Sequence, residues 1–211
     1  MKLPLMGHIA VWSALVPGTL GMWRFRTLAR PMKLFAVFCL AAVLNVLLEF
    51  ALSRMNIKNY FLSDLYFFIS VPFLGLIYFL SVTDPFARSA LRILSVLFVL
   101  IWLVQKVFFA DPTELSSTLA MITAIFLVIM SILTFNGLLK SSASSLSSEP
   151  IFWVLTGTIV YYSGSFAVMG LGNLLLKNSV SLFVAAWYIN WILTVAAMLL
   201  YARGFLCKSQ V

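Results

Sequence analysis

Seven times along this chain a run of about 20 residues passes without sustained polar interruption. The runs lie near 3–22, 32–53, 60–82, 86–109, 115–139, 150–175 and 181–203. Each is long enough to cross roughly 30 Å of hydrocarbon as a helix rising about 1.5 Å per residue. Hydrocarbon offers no partner to backbone N–H and C=O groups, so a spanning segment is a helix or part of a closed barrel. The apolar–polar alternation of barrel strands is absent. The expected fold is all-α: a polytopic membrane protein of seven transmembrane helices. Charged residues make up 9% of the chain, against about 25% in a soluble domain. Residues 1–211 are therefore read as a single transmembrane domain, with the lipid bilayer as its first partner.

Helix starts are marked by capping chemistry. Asp84 followed by Pro85 reads as an N-cap and first helical position, and Asp111, Pro112 and Glu114 repeat the pattern. Pro31 and Pro150 begin the second and sixth helices in the same way. The Ser-rich stretch 140–150 is a loop between helices five and six. The first run ends in GMWRFR with no small-x-small cleavage site, so it is expected to stay as helix one rather than leave as a signal peptide.

The net charge of +8 would suggest nucleic acid in a soluble protein. Here the basic residues flank the spans, so they report orientation instead. Arg24, Arg26, Arg30, Lys33, Arg88, Arg92, Lys140, Arg203 and Lys208 fall on one side, nine in all, against five on the other: Lys2, Arg54, Lys58, Lys106 and Lys177. The positive-inside rule then places the N-terminus outside and the C-terminus in the cytoplasm. Cys39 and Cys207 have no partner on an oxidising side, so no disulfide is expected.

An internal repeat is visible at an offset of 119. Gly18 falls on Gly137, Leu20 on Leu139, Pro31 on Pro150, Leu52 on Leu171, Lys58 on Lys177 and Asn59 on Asn178. Residues 1–83 and 115–206 would be parallel repeats joined by a connector helix over 85–110, a three-plus-one-plus-three plan. Paired halves of this kind commonly form a site at their interface.

Polar residues inside the spans are few. Asn45 and Glu49, four apart, share a face of helix two. Asp64 and Ser70 lie in helix three. Helix six carries Thr156, Thr158, Tyr161, Tyr162, Ser163, Ser165 and Asn173, with a small stripe of Ser163, Ala167 and Gly170 suited to close helix approach. Helix seven carries Tyr188, Asn190 and Thr194. Counting depth along alternating helices puts Glu49, Asp64, Ser165, Tyr188 and Asn190 in the outer half. A carboxylate at mid-bilayer costs about 2.5–3.5 kcal/mol, less toward the interface, so such groups should turn inward. The expected ligand-binding set is Asn45, Glu49, Asp64, Tyr161, Tyr162, Ser165, Tyr188 and Asn190. Helices two, three, six and seven would enclose an outward-facing polar pocket, walled by Phe67, Phe68, Tyr161, Tyr162 and Trp187. Glu49 and Asp64 would share a proton or pair with Arg54, Lys58 or a cationic ligand. The plainer reading has Asp64 cap helix three and Glu49 snorkel to water.

Several chemistries lack their residues. Helix seven has no Lys for a retinal Schiff base, the Pro-Gln pair of PQ-loop transporters is absent, and no Gly-x-Gly-Asp of intramembrane aspartyl proteases occurs. His8 is the one histidine, so no His-rich zinc site can be built. No cofactor, metal or nucleic acid is expected, and no catalytic residue stands out.

NVLLEFALSRMNIKNYFLSDLYFFI and EPIFWVLTGTIVYYSGSFAVMGLGNLLL resemble a group of small, largely uncharacterised bacterial seven-helix membrane proteins. The resemblance implies that topology and a bacterial inner (plasma) membrane, and no activity. The plan also looks like that of microbial rhodopsins and three-plus-one-plus-three transporters, an analogy of fold alone. The leading functional expectation is a receptor-like or sensor module that binds a small or amphipathic ligand and signals to a separate cytoplasmic partner. A small proton-coupled transporter using Glu49 or Asp64 comes second, and a lipid-acting membrane enzyme third.

Overall fold

The computed structural model describes residues 4–55, 57, 59–108, 117–141 and 146–207. The Asp111–Pro112–Glu114 start signal, Lys58 and the Asn173 side chain lie outside the described residues. Seven helical spans are long and apolar enough to cross a membrane. The first is built from α1 (Leu5–Ser13) and α2 (Leu15–Trp23). The others are α3 (Arg30–Arg54), α4 (Tyr60–Ser81), α5 (Pro85–Phe108), α6 (Ser117–Ser141), α7 (Pro150–Gly170) and α9 (Val180–Leu206), with a short α8 (Gly172–Asn178) before the last.

Local chemistry accounts for the boundaries. Pro17 lacks the N–H that would bond Ser13, and its ring crowds that carbonyl, so the first span breaks at Ala14. Pro31 and Pro150 occupy first-turn positions of α3 and α7, where a missing N–H costs nothing. Asp84 caps α5, its Oδ2 accepting from the Ala87 amide at 2.9 Å. The sixth segment is shorter than the expected 150–175: α7 stops at Gly170, and the chain restarts as α8.

The spans form a ring. α3 packs between α2 and α4, α4 against α6, α6 against α7, and α7 against α9, which returns to α1 and α2. α5 sits outside the ring on α4 and α6. Its outward side chains show this: Ile93 is 63% exposed and Val96 61%, the solvent here being acyl chain. Successive spans alternate in direction because their connections are short. One end face, called here the N-terminal face, therefore gathers the start of α1, the end of α3, the start of α4 and α8. The opposite, C-terminal face gathers the 24–29 and 82–84 connections with the end of α9.

The core of the half next to the C-terminal face is closely packed. Phe35, Ala36, Ile77, Tyr78, Val154, Leu155 and Phe205 are all buried there. Phe35 stacks on Phe205 at 5.6 Å and meets Tyr201 edge-on at 5.1 Å. Glycines set the α7–α9 approach. A Cβ at Gly157 would stand 2.6 Å from the Tyr201 ring, and one at Gly164 would stand 2.6 Å from Leu193. Of the expected small stripe, Ser163 and Ala167 are exposed, while Gly170 lets Met121 of α6 approach closely; Gly157 and Gly164, two turns apart, face α9.

Candidate functional site

α4 is the pivot of the polar residues near the N-terminal face. Successive helical side chains diverge by about 100°, so Ser63 and Asp64 reach different neighbours. Ser63 Oγ donates to Glu49 Oε1 on α3 at 3.0 Å. The same carboxylate oxygen accepts from Asn45 Nδ2 at 3.0 Å, one turn away on its own helix. Asn59 Nδ2, at the start of α4, ties the Glu49 backbone carbonyl at 2.9 Å. Asn45 and Glu49 thus stand together, as their spacing predicts. They occupy the flank of α3 toward α4, half-buried, rather than the face bearing Met32, Phe35, Cys39 and Val43, all buried.

Asp64 turns the other way and forms an ion pair with Lys106 of α5. It is 8% exposed. Neither Arg54 nor Glu49 is its partner; Arg54 lies over the Phe50 ring at 5.0 Å. Asp64 does not cap α4, whose N-cap is Asn59. Its pairing partner was missed in the sequence, where Lys106 counted only as a flanking charge. Trp102, one turn before Lys106, packs its ring 4.4 Å from that of Phe68, one turn after Asp64. The two carboxylates thus have separate partners on opposite flanks of α4.

Tyr161, Asn190 and Thr194 meet across the α7–α9 seam, the Tyr161 hydroxyl facing both side chains. Thr158, Tyr162, Ser165 and Met169 line one buried face of α7. Tyr188 stands apart from this group. Two positions before Asn190 is more than half a turn around the helix, and Tyr188 is 40% exposed, edge-on to Trp191 at 5.0 Å. Phe183 stacks on Trp187 at 4.9 Å.

Toward the C-terminal face a second polar group emerges that the sequence reading did not single out. Tyr78 Oη donates to Thr158 Oγ1 at 3.0 Å and accepts from Ser131 Oγ at 3.1 Å. Thr158 Oγ1 also lies 3.2 Å from Tyr201 Oη. One residue each from α4, α6, α7 and α9 is thereby joined, and every hydroxyl is satisfied. The N-terminal half differs. Among the described residues, Asp64 Oδ1, Trp102 Nε1, Ser117 Oγ, Ser165 Oγ and Asn190 Oδ1 are buried without a hydrogen-bond partner in the protein. They come from α4, α5, α6, α7 and α9, in the half of the bundle that the depth argument selected.

Two clefts open elsewhere, on the C-terminal face. One of about 320 Å³ lies between the starts of α3 and α7 and the ends of α4 and α6. Another of about 360 Å³ lies between the start of α5 and the end of α6. Among the described residues no group of three His, Cys, Asp or Glu is placed to hold a metal ion. Comparison with protein-family models, curated proteins and solved structures finds no match to this chain.

Proposed function

We propose that the protein is a receptor-like membrane module that binds a small polar or amphipathic ligand in the N-terminal half of its bundle. A separate cytoplasmic partner would read the resulting helix shift. The observation that carries this reading is the set of five buried polar atoms without protein partners, all in that half. Leaving such an atom unpaired costs about 1–3 kcal/mol, a cost that a ligand hydroxyl, amine or carboxyl can remove. The set offers both kinds of complement, a donor at Trp102 and acceptors at Asp64 and Asn190. The aromatic packing of Phe35, Tyr201 and Phe205 in the core of the other half supports sensing over transport.

The proposal keeps the N-terminus outside, the two parallel repeats, and a bacterial inner membrane, to which the positive-inside bias and the sequence resemblance point. The ring order supports the repeat. α1–α2, α3 and α4 form one arc and α6, α7 and α9 the other, meeting at two seams, with α5 outside.

A specific observation favours a proton-coupled transporter as the second reading. Glu49 accepts from two neutral donors, Asn45 and Ser63, and among the described residues no cation pairs with it. Such a carboxyl can take up a proton without breaking an ion pair. Proteoliposomes loaded with a pH-sensitive dye separate the two. The receptor reading expects no proton flux under an imposed gradient. Flux that disappears in Glu49→Gln would replace it with the transporter.

A further inference from the structure

We infer that Arg88 and Arg92, with the lipid-facing strip of α5 beside them, bind the phosphate of an anionic phospholipid. The two guanidinium carbons lie 4.4 and 4.5 Å from the centroid of one ring, Phe79 on α4. One aromatic face thus gathers two cations that would otherwise repel each other. Arg88 Nε leans on the Phe79 carbonyl at 3.4 Å, which fixes its fork beside that of Arg92. Among the described residues no carboxylate pairs with either arginine. The nearest acid in sequence, Asp84, is engaged by the Ala87 amide at 2.9 Å and faces Lys140 at 4.0 Å. Stacking leaves the guanidinium edges open, and those edges match phosphate oxygens two at a time.

A lipid, rather than a soluble phosphate, is the source that the surroundings fit. Arg92 lies two turns inside a membrane span, and its long side chain returns the charge to headgroup level. Beyond it, on the same side of α5, Val96 is 61% exposed and Leu103 46%. These give an acyl chain a track leading away from the paired cations. Two positive charges without a carboxylate partner among the described residues favour an anionic over a zwitterionic headgroup. Orientation bias alone would place arginines at this face; it does not require two of them on one ring.

The test uses the full-length protein, purified in detergent and delipidated, with bound lipid read by native mass spectrometry. Dioleoyl phosphatidylglycerol should bind at least several-fold more tightly than dioleoyl phosphatidylcholine. The double variant Arg88→Gln/Arg92→Gln should lose roughly tenfold or more in phosphatidylglycerol affinity, the scale of losing charge-assisted hydrogen bonds. Arg203→Gln removes an arginine at the same face, one lying 5.7 Å from the Trp153 ring, and should leave binding unchanged. Equal binding of the two lipids overturns the inference, as does a double variant that binds like Arg203→Gln. Competition by millimolar glycerol phosphate would assign the site to a soluble phosphate and overturn the lipid. Where the double variant is not recovered folded, Arg88→Lys and Arg92→Lys decide. Each should weaken binding severalfold by losing the fork, and unchanged affinity in both refutes the site.

Discussion

Asp64 shows how a carboxylate is kept inside an apolar bundle. Its partner is a lysine from a helix outside the ring, and the pair sits one turn from a Phe–Trp contact that screens it from lipid. Removing one member of a buried pair is far costlier than removing both. Lys106→Met should therefore destabilise the protein by about 2 kcal/mol, less than for a fully buried pair because the lysine is partly exposed. Adding Asp64→Leu should recover most of that loss. Thermal unfolding in detergent checks it, and a double variant no more stable than Lys106→Met would mean that the pair does not govern stability. Depth was readable here and direction was not. Counting residues from the loops placed Glu49, Asp64, Ser165 and Asn190 at one level. It could not show that Glu49 and Asp64 flank α4 on opposite sides, nor that Tyr188 turns away. The same depth argument applied to cations would have found Lys106, since Trp102/Lys106 and Phe68/Asp64 are matching one-turn pairs on consecutive helices.

Among the elements, the α7–α9 seam brings close glycine contacts and the hydroxyl network together. Van der Waals packing and hydrogen bonds drive helix association in lipid, where no hydrophobic effect separates helix from solvent. Gly157→Ala would push a methyl group into Tyr201, where its Cβ would stand 2.6 Å from the ring, and should cost about 1–3 kcal/mol by overpacking. Gly172→Ala meets nothing closer than 3.7 Å and should leave the unfolding midpoint unchanged. Equal effects of the two would contradict the seam. Thr158→Val leaves the Tyr78 and Tyr201 hydroxyls short of a partner and should cost about 0.6–1.7 kcal/mol, the range for hydrogen bonds in membrane bundles; a neutral outcome in the same unfolding assay would remove the network from the account. Span number and most boundaries were legible because length, Pro and Asp obey local rules. The break at Ala14 was legible in principle from Pro17. Which neighbour each small residue meets was not, since Ser163/Ala167/Gly170 and Gly157/Gly164 are equally small stripes: Gly170 meets α6, Gly157 and Gly164 meet α9, and Ser163 and Ala167 are exposed.

At the scale of the whole molecule, the bundle is polarised along its axis. Among the described residues, the core hydroxyls of the C-terminal half satisfy one another, while the N-terminal half holds charged and unpaired polar groups below its surface. The proposed orientation predicts that reporter fusions after Lys140 and at Val211 both read cytoplasmic, and opposite readings would break the seven-span alternation. Ligand access is the central claim, and cysteine accessibility tests it most directly. The background carries Cys39→Ala and Cys207→Ser, which removes both native thiols. Single cysteines are then placed at Ser165 and Asn190 in the polar half and at Ser131 in the closely packed core of the other half. Intact cells are treated with a membrane-impermeant cationic methanethiosulfonate. The account predicts modification of Ser165→Cys and Asn190→Cys from outside, with Ser131→Cys left untouched. Unreactive thiols at both 165 and 190, or a Ser131→Cys that reacts equally fast, would contradict it.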